Sequence, residues 1–305
     1  MLEPQLKRLM KNFLLLIAIA LGIILPYGHE YTFLIRYFLM VLLFFSFLDV
    51  RTNKEILKQS HFVILVVILF TPLIFFYLIN FFNHSLAQTV FVTAIAPTAI
   101  AAPVIISLKK GKVEYVMFSL LLNNIAVALL IPFMLPFIAS SSNPVYVSDI
   151  LFPVLVTISI PFALAQLTRF VLPKIWKFLV EWKDSSFYIL VANIYIAVSD
   201  ATTYIREELT SNLTIVFFIA AVSGLLCLFY FGLGWLIGGK NYHTEASQSL
   251  GQKNNAFTIW IALTFMSPLA ALGPVFYVLF QNTYISYTLY RFNSKRNKKV
   301  SSPSE

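Results

Sequence analysis

The chain is a succession of ten apolar runs joined by short polar loops, and this alone decides its solvent. The runs lie near 12–26, 32–49, 62–81, 85–108, 113–138, 149–171, 185–203, 212–238, 244–266 and 269–291. A helix needs about 20 residues to cross the hydrocarbon core, and fewer inside a bundle. The bilayer admits only elements that satisfy their own backbone hydrogen bonds, and Pro and Gly are tolerated where neighbours help. The sequence therefore predicts an all-α polytopic membrane protein of about ten transmembrane helices. A soluble domain is about a quarter charged; here the charged fraction is 11% and the apolar fraction 59%. No small-residue cleavage site follows the first run, which is expected to be a retained span rather than a signal peptide.

Charge distribution orients the spans. With both termini cytoplasmic, nineteen of the twenty-two Lys and Arg residues fall in inner segments and only Arg206 in an outer loop. That asymmetry is the positive-inside pattern, and it fails if one span is dropped. It also explains the net charge of +9 without a nucleic-acid partner. Arg36 and Lys253 remain inside spans; Arg36, near the start of span two, is expected to snorkel outward, and Asp200 to face solvent or Arg206. The expected location is a plasma (inner) membrane of bacterial type.

Ten spans divide into five and five, and an odd number per half forces an inverted repeat. The expected organisation is a cytoplasmic N-terminus at 1–11 and a first five-helix repeat at 12–138. A second repeat follows at 139–291, with an amphipathic connector near 172–184 on the membrane surface, and then a cytoplasmic basic tail at 292–305. Spans four and nine are the two with interrupted apolar character. Span four carries Pro97-Thr98-Ala99-Ile100-Ala101-Ala102-Pro103, and span nine carries Ser247 to Asn255. Each proline removes a backbone donor, so carbonyls from about Thr93 to Ala99 should lose their helical partners. Paired breaks at corresponding positions point to a midplane site, although a simple proline kink would also account for span four.

Lys253 is the most informative residue. A lysine in mid-membrane costs from ~2.5 kcal/mol upward, and this one is about 12 Å along the helix from Glu245. With Ser249, Gln252, Asn254 and Asn255 beside it, the segment is expected to face a water-accessible crevice rather than lipid; a structural polar knot is the plain alternative. Pro97, Thr98, Pro103, Asn123 and Asn124 are candidates for the same solute or cation site. Gln166, Asn193 and Gln281-Asn282 read first as interhelical hydrogen bonds. The four histidines show no metal-ligand spacing, no Ser/His/Asp arrangement converges, and the single Cys227 permits no disulfide within the chain. No catalytic or metal site and no cofactor is expected.

At these two spans the chain resembles the bile acid:sodium symporter family, which has ten helices in two inverted halves and two broken, crossing helices. The family's fourth span typically reads Pro-Gly-Gly, two residues, Ser-Asn, then a basic residue with Gly; Pro97 and Lys110-Gly111 match. Its ninth span typically reads Glu, any, Gly, any, Gln-Asn; Gly251 and Asn254 match. Pro268, Pro274, Phe276 and Gln281-Asn282 resemble the tenth-span entry. The family's sodium ligands are replaced here: Ala102 and Pro103 stand for Ser-Asn, Ser249 for the Glu, Lys253 for the ninth-span Gln, and Val67 (five before Pro72) for a third-span Gln. The resemblance implies a secondary carrier moving a small organic anion by alternating access. The lost ligands imply that Lys253 stands in for a bound sodium, which makes the carrier sodium-independent, or proton-coupled should Lys253 titrate. Arsenite-efflux relatives use a fourth-span cysteine that is absent here. A non-transporting sensor or accessory protein that kept the fold, and a sodium-dependent symporter with rearranged sites, are the alternatives. Solute identity and oligomeric state are not legible.

Overall fold

The computed structural model describes residues 2–48, 57–139, 146–207 and 214–301. Among them the chain is helical throughout, with no strand. The helices are α1 (Leu2–Ile24), α2 (Leu34–Phe47), α3 (Gln59–Asn80), α4 (His84–Ala94), α5 (Ala101–Leu108) and α6 (Val113–Ile138). The second half adds α7 (Val147–Val171), α8 (Pro173–Glu181), α9 (Ser186–Glu207), α10 (Thr214–Gly251), α11 (Asn255–Phe265) and α12 (Pro268–Ser301). Five of them, α3, α6, α7, α9 and α10, are long and apolar enough to cross a membrane, and Phe13–Ile24, α2 and α11 are shorter apolar helices. Exposed Phe62, Phe70, Phe133, Phe152, Phe170 and Phe217 form an outer surface that only lipid can solvate. The protein is an integral, multi-pass membrane protein.

Helix α10 is a long apolar limb and a shorter polar one folded back on each other. The chain turns at Gly239 (φ 55, ψ −152) and Tyr242 (φ −140, ψ 18). The limbs then pack so closely that a Cβ on Gly234 would lie 2.6 Å from the Ala246 carbonyl oxygen, and one on Gly238 2.7 Å from the His243 backbone. Gly239 occupies a backbone region essentially closed to other residues, yet its missing Cβ would meet nothing within 4 Å. Gly239→Ala is therefore expected to destabilise by about 1–3 kcal/mol through backbone strain alone. Gly232→Ala, on the helical limb with equally open space, should stabilise by roughly 0.5–1 kcal/mol. Thermal unfolding in detergent of the two variants checks the sign of each.

Packing separates the helices into two groups. Helices α1, α2, α7 and α9 pack on one another, and α3, α4, α5, α6, α10, α11 and α12 on one another. The groups meet where α9 and α1 lie on α12, α7 on α6, and α2 and α9 on α11. The connector α8 is a separate amphipathic helix that buries none of its residues and is anchored by Trp176, whose Nε1 donates to the Leu48 carbonyl at 2.9 Å.

Two charged residues near span ends make protein contacts. Arg36 donates from Nε to the Thr157 hydroxyl at 2.9 Å, and Thr157 on α7 is otherwise sealed from water, at 0% exposure. Arg206 takes a backbone partner, donating from Nη2 to the Ile23 carbonyl at 2.6 Å. Arg51 and Lys54, two of the nineteen residues expected in inner segments, lie outside the described residues.

Candidate functional site

Span four is broken between α4 and α5, and span nine between α10 and α11. The span-four gap runs over residues 95–100 and is set by Pro97. Pro103 does not contribute. It sits in the first turn of α5, where a missing N–H has no helical acceptor to lose. The span-nine gap is narrower than the run of polar residues implied, because Ser247 and Ser249 are still helical and only 252–254 depart. Ser247 escapes desolvation by donating its hydroxyl to the Phe231 carbonyl across the α10 hairpin at 2.7 Å.

The two gaps cross as a single antiparallel bridge, Thr98 facing Lys253. The Ala99 N–H donates to the Gln252 carbonyl and the Asn254 N–H to the Pro97 carbonyl, both at 2.7 Å. Backbone groups released by the breaks thus satisfy each other, as a low-dielectric interior demands. Side chains complete the joint. The Thr98 hydroxyl donates to the Ser249 carbonyl at 2.6 Å and accepts from Asn123 Nδ2 at 2.8 Å. Asn124 Nδ2 donates to the Thr98 carbonyl at 2.9 Å. From the other side, Gln281 Oε1 accepts the Lys253 N–H at 2.7 Å, and the Tyr277 hydroxyl donates to the Gly251 carbonyl at 2.7 Å.

Lys253 threads its side chain back through this joint. Its Nζ donates to the carbonyls of Ala94 at 2.7 Å and Ala96 at 3.0 Å, and lies 3.9 Å from the centre of the Tyr230 ring. Ala94 ends α4, so the ammonium meets the negative end of that helix dipole. Two charge-assisted hydrogen bonds of ~1.5–3 kcal/mol each and a cation–π contact of ~0.5–2 kcal/mol offset its removal from water. The residue is 2% exposed, so the ammonium is enclosed rather than standing in the water-accessible crevice that the sequence implied. Both acceptors are carbonyls of the fourth span.

Every one of the candidates except Pro103 is therefore drawn into or beside the crossing. Tyr230 was missed: among thirty Phe and fifteen Tyr, one aromatic in an apolar run carries no signal. Its hydroxyl donates to Thr71 at 2.7 Å while Thr71 donates to the Val67 carbonyl. Span three thus supports the ring from the very turn where the resembled family carries a ligand. Several buried polar atoms have no hydrogen-bond partner among the described residues: Ser119 Oγ, Asn123 Oδ1, Gln248 Oε1, Ser249 Oγ, Gln252 Oε1, Asn254 Nδ2 and Asn255 Oδ1. Such atoms cost about 1–3 kcal/mol each if nothing answers them.

Away from the crossing the broken spans are tied again. Glu245 Oε1 accepts the Lys112 N–H at 2.9 Å, and Gly111 lets the carboxylate approach, since a Cβ there would meet Oε1 at 2.8 Å.

The model of the Sodium Bile acid symporter family matches residues 31–208, more than half of the chain. The chain belongs to the sodium bile acid symporter family. The matched stretch takes in the broken fourth span and Thr98, Asn123 and Asn124, while Lys253 lies beyond it. No curated protein matches the chain. Membership in the symporter family makes this a transporter-like membrane protein and speaks against an enzyme.

Proposed function

We propose that the protein is a secondary carrier for a small organic anion that works without sodium, the Lys253 ammonium occupying the role of a coupling cation. The observation that carries this reading is the seat of Nζ on the Ala94 and Ala96 carbonyls, over the Tyr230 ring. A covalently tethered cation there neutralises the carbonyls freed by the broken helix. Its place is filled whatever the sodium concentration. Ala102, Pro103 and Ser249, at positions where the family carries sodium ligands, fit the same reading.

Alternating access would proceed by rocking the α1, α2, α7, α9 group against the other helices. The grouping itself supports an inverted five-plus-five repeat, because the first two spans of each half pair together while spans four and nine are both broken. The N-termini of α5 and α11 at the crossing offer positive potential to an anion. Both termini would then be cytoplasmic, in the plasma membrane.

A thermal-shift screen of purified protein against organic acids identifies a ligand, whose uptake into proteoliposomes is then compared with sodium and with potassium outside. Uptake is expected to be the same in the two. Uptake that collapses when sodium is withdrawn removes the tethered-cation reading, and a protein that binds an acid without moving it is a sensor.

A further inference from the structure

Helix α8 has nine residues, and a helix this short does not hold itself together in water. Its sequence explains both how it starts and where it can rest. Leu172 (φ −125, ψ 60) closes α7 and opens α8, and Pro173 in the first turn has no N–H with which to continue the α7 ladder. The chain therefore leaves the span here and enters α9 at Ser186 through the turn Lys183–Ser185.

At about 3.6 residues per turn, the side chains of α8 divide into three arcs. Trp176, Leu179 and Val180 form the first and are half-buried against the protein core, with Trp176 bonded to the Leu48 carbonyl at the end of α2. Lys174, Lys177 and Glu181 form the second, and all three are exposed. Ile175, Phe178 and Trp182 form the third, and they are 48%, 55% and 57% exposed. Phe178 and Trp182 pair, with ring centres 5.6 Å apart. Packing on the protein thus accounts for one apolar arc and leaves the other without a cover among the described residues.

Two observations choose the cover. The exposed apolar end of α7, Phe170 and Val171, leads through Leu172 into the third arc, so the arc continues the surface that lipid solvates. The lysines beside it place positive charge where acyl chains meet headgroups. A second copy of the chain fits less well, because three side chains fall far short of the ~800 Å² per partner of a stable interface.

We propose that α8 is a docking site for an anionic phospholipid, whose acyl chains lie on Ile175, Phe178 and Trp182 and whose phosphate is held by Lys174 and Lys177. Glu181 shares the polar arc and repels the headgroup, so it limits the preference. Since α8 packs on α7 and is bonded to α2, lipid held here braces the first helix group and stabilises the fold. The assignment is independent of what the protein carries.

The full chain in neutral detergent is titrated with dioleoyl phosphatidylglycerol or phosphatidylcholine while the thermal midpoint is read. Phosphatidylglycerol is expected to raise the midpoint at about fivefold lower concentration, each charge near the headgroup being worth about that factor. The double variant Lys174→Gln, Lys177→Gln should lose this preference, and Glu181→Gln should increase it about fivefold further. Lys240→Gln, exposed at the α10 turn, should leave it unchanged, and glycerol phosphate, which has the charge without the chains, should give no shift. In vesicles of lipid brominated along the acyl chains, the emission that Trp182→Phe removes should be quenched. Equal response to the two lipids, no gain in Glu181→Gln, a loss in Lys240→Gln as large as in the lysine pair, or an unquenched Trp182 overturns the assignment. A shift with glycerol phosphate alone overturns it in favour of a free-phosphate site, and a dimer under the same conditions overturns it in favour of a contact between copies.

Discussion

Replacing Lys253 with alanine is expected to lower the thermal midpoint by about 10 °C, since two desolvated carbonyls at ~1–3 kcal/mol each lose their donor. The Ala94 and Ala96 carbonyls cannot turn elsewhere: the first ends α4 and the second lies in the gap before Pro97. The variant has a signature that a merely damaged core lacks. Methylammonium restores part of the midpoint, because it can donate to the same carbonyls over the Tyr230 ring, and sodium does so where choline does not. The wild type is expected to respond to neither. A variant as stable as the parent, or a parent stabilised by sodium, contradicts the account of Lys253 as the resident cation.

Thr98→Val is expected to cost about 2–5 kcal/mol although it preserves the shape of the side chain. The hydroxyl both donates, to the Ser249 carbonyl, and accepts, from Asn123. Valine strands both partners in a region where Asn123 Oδ1 already lacks a donor among the described residues. Thr98→Ser keeps the hydroxyl and should recover most of the loss. Unfolding of the two variants in the same detergent separates the hydrogen-bond effect from packing; equal losses in Val and Ser would show that the methyl group, not the hydroxyl, holds the joint.

Much of the fold was legible because a bilayer makes length and apolarity decisive. The runs at 62–81, 113–138 and 149–171 correspond to α3, α6 and α7, each continuous despite internal prolines at 72, 132 and 136, or 153 and 161. Breaks were harder to place than to detect. Pro97 and Pro103 look alike in sequence, but one lies before a helix start and the other inside the first turn, and only the first interrupts anything. Lys253 was conspicuous because its charge is costly at that depth, whereas its partners were not: carbonyls of two alanines carry no side-chain signal. The contact of Arg36 was not legible because its partner, Thr157, is 121 residues away. Asn193 resembled an ordinary interhelical bond, yet neither its Nδ2 nor its Oδ1 has a partner among the described residues.

The tight turn at Gly239 bears on how the protein is made. The limb after it carries Glu245, Gln248, Gln252, Lys253, Asn254 and Asn255, a burden of charge and amide too heavy for lateral release from a translocon as an isolated segment, where a central lysine alone costs about 2.5–3.5 kcal/mol. The limb before it, residues 214–238, is apolar enough to enter unaided. Closure at Gly234 and Gly238 joins the two into one helical hairpin, in which the Ser247 hydroxyl is bonded to Phe231, and a hairpin of this kind can carry its polar limb into the bilayer together with the apolar one.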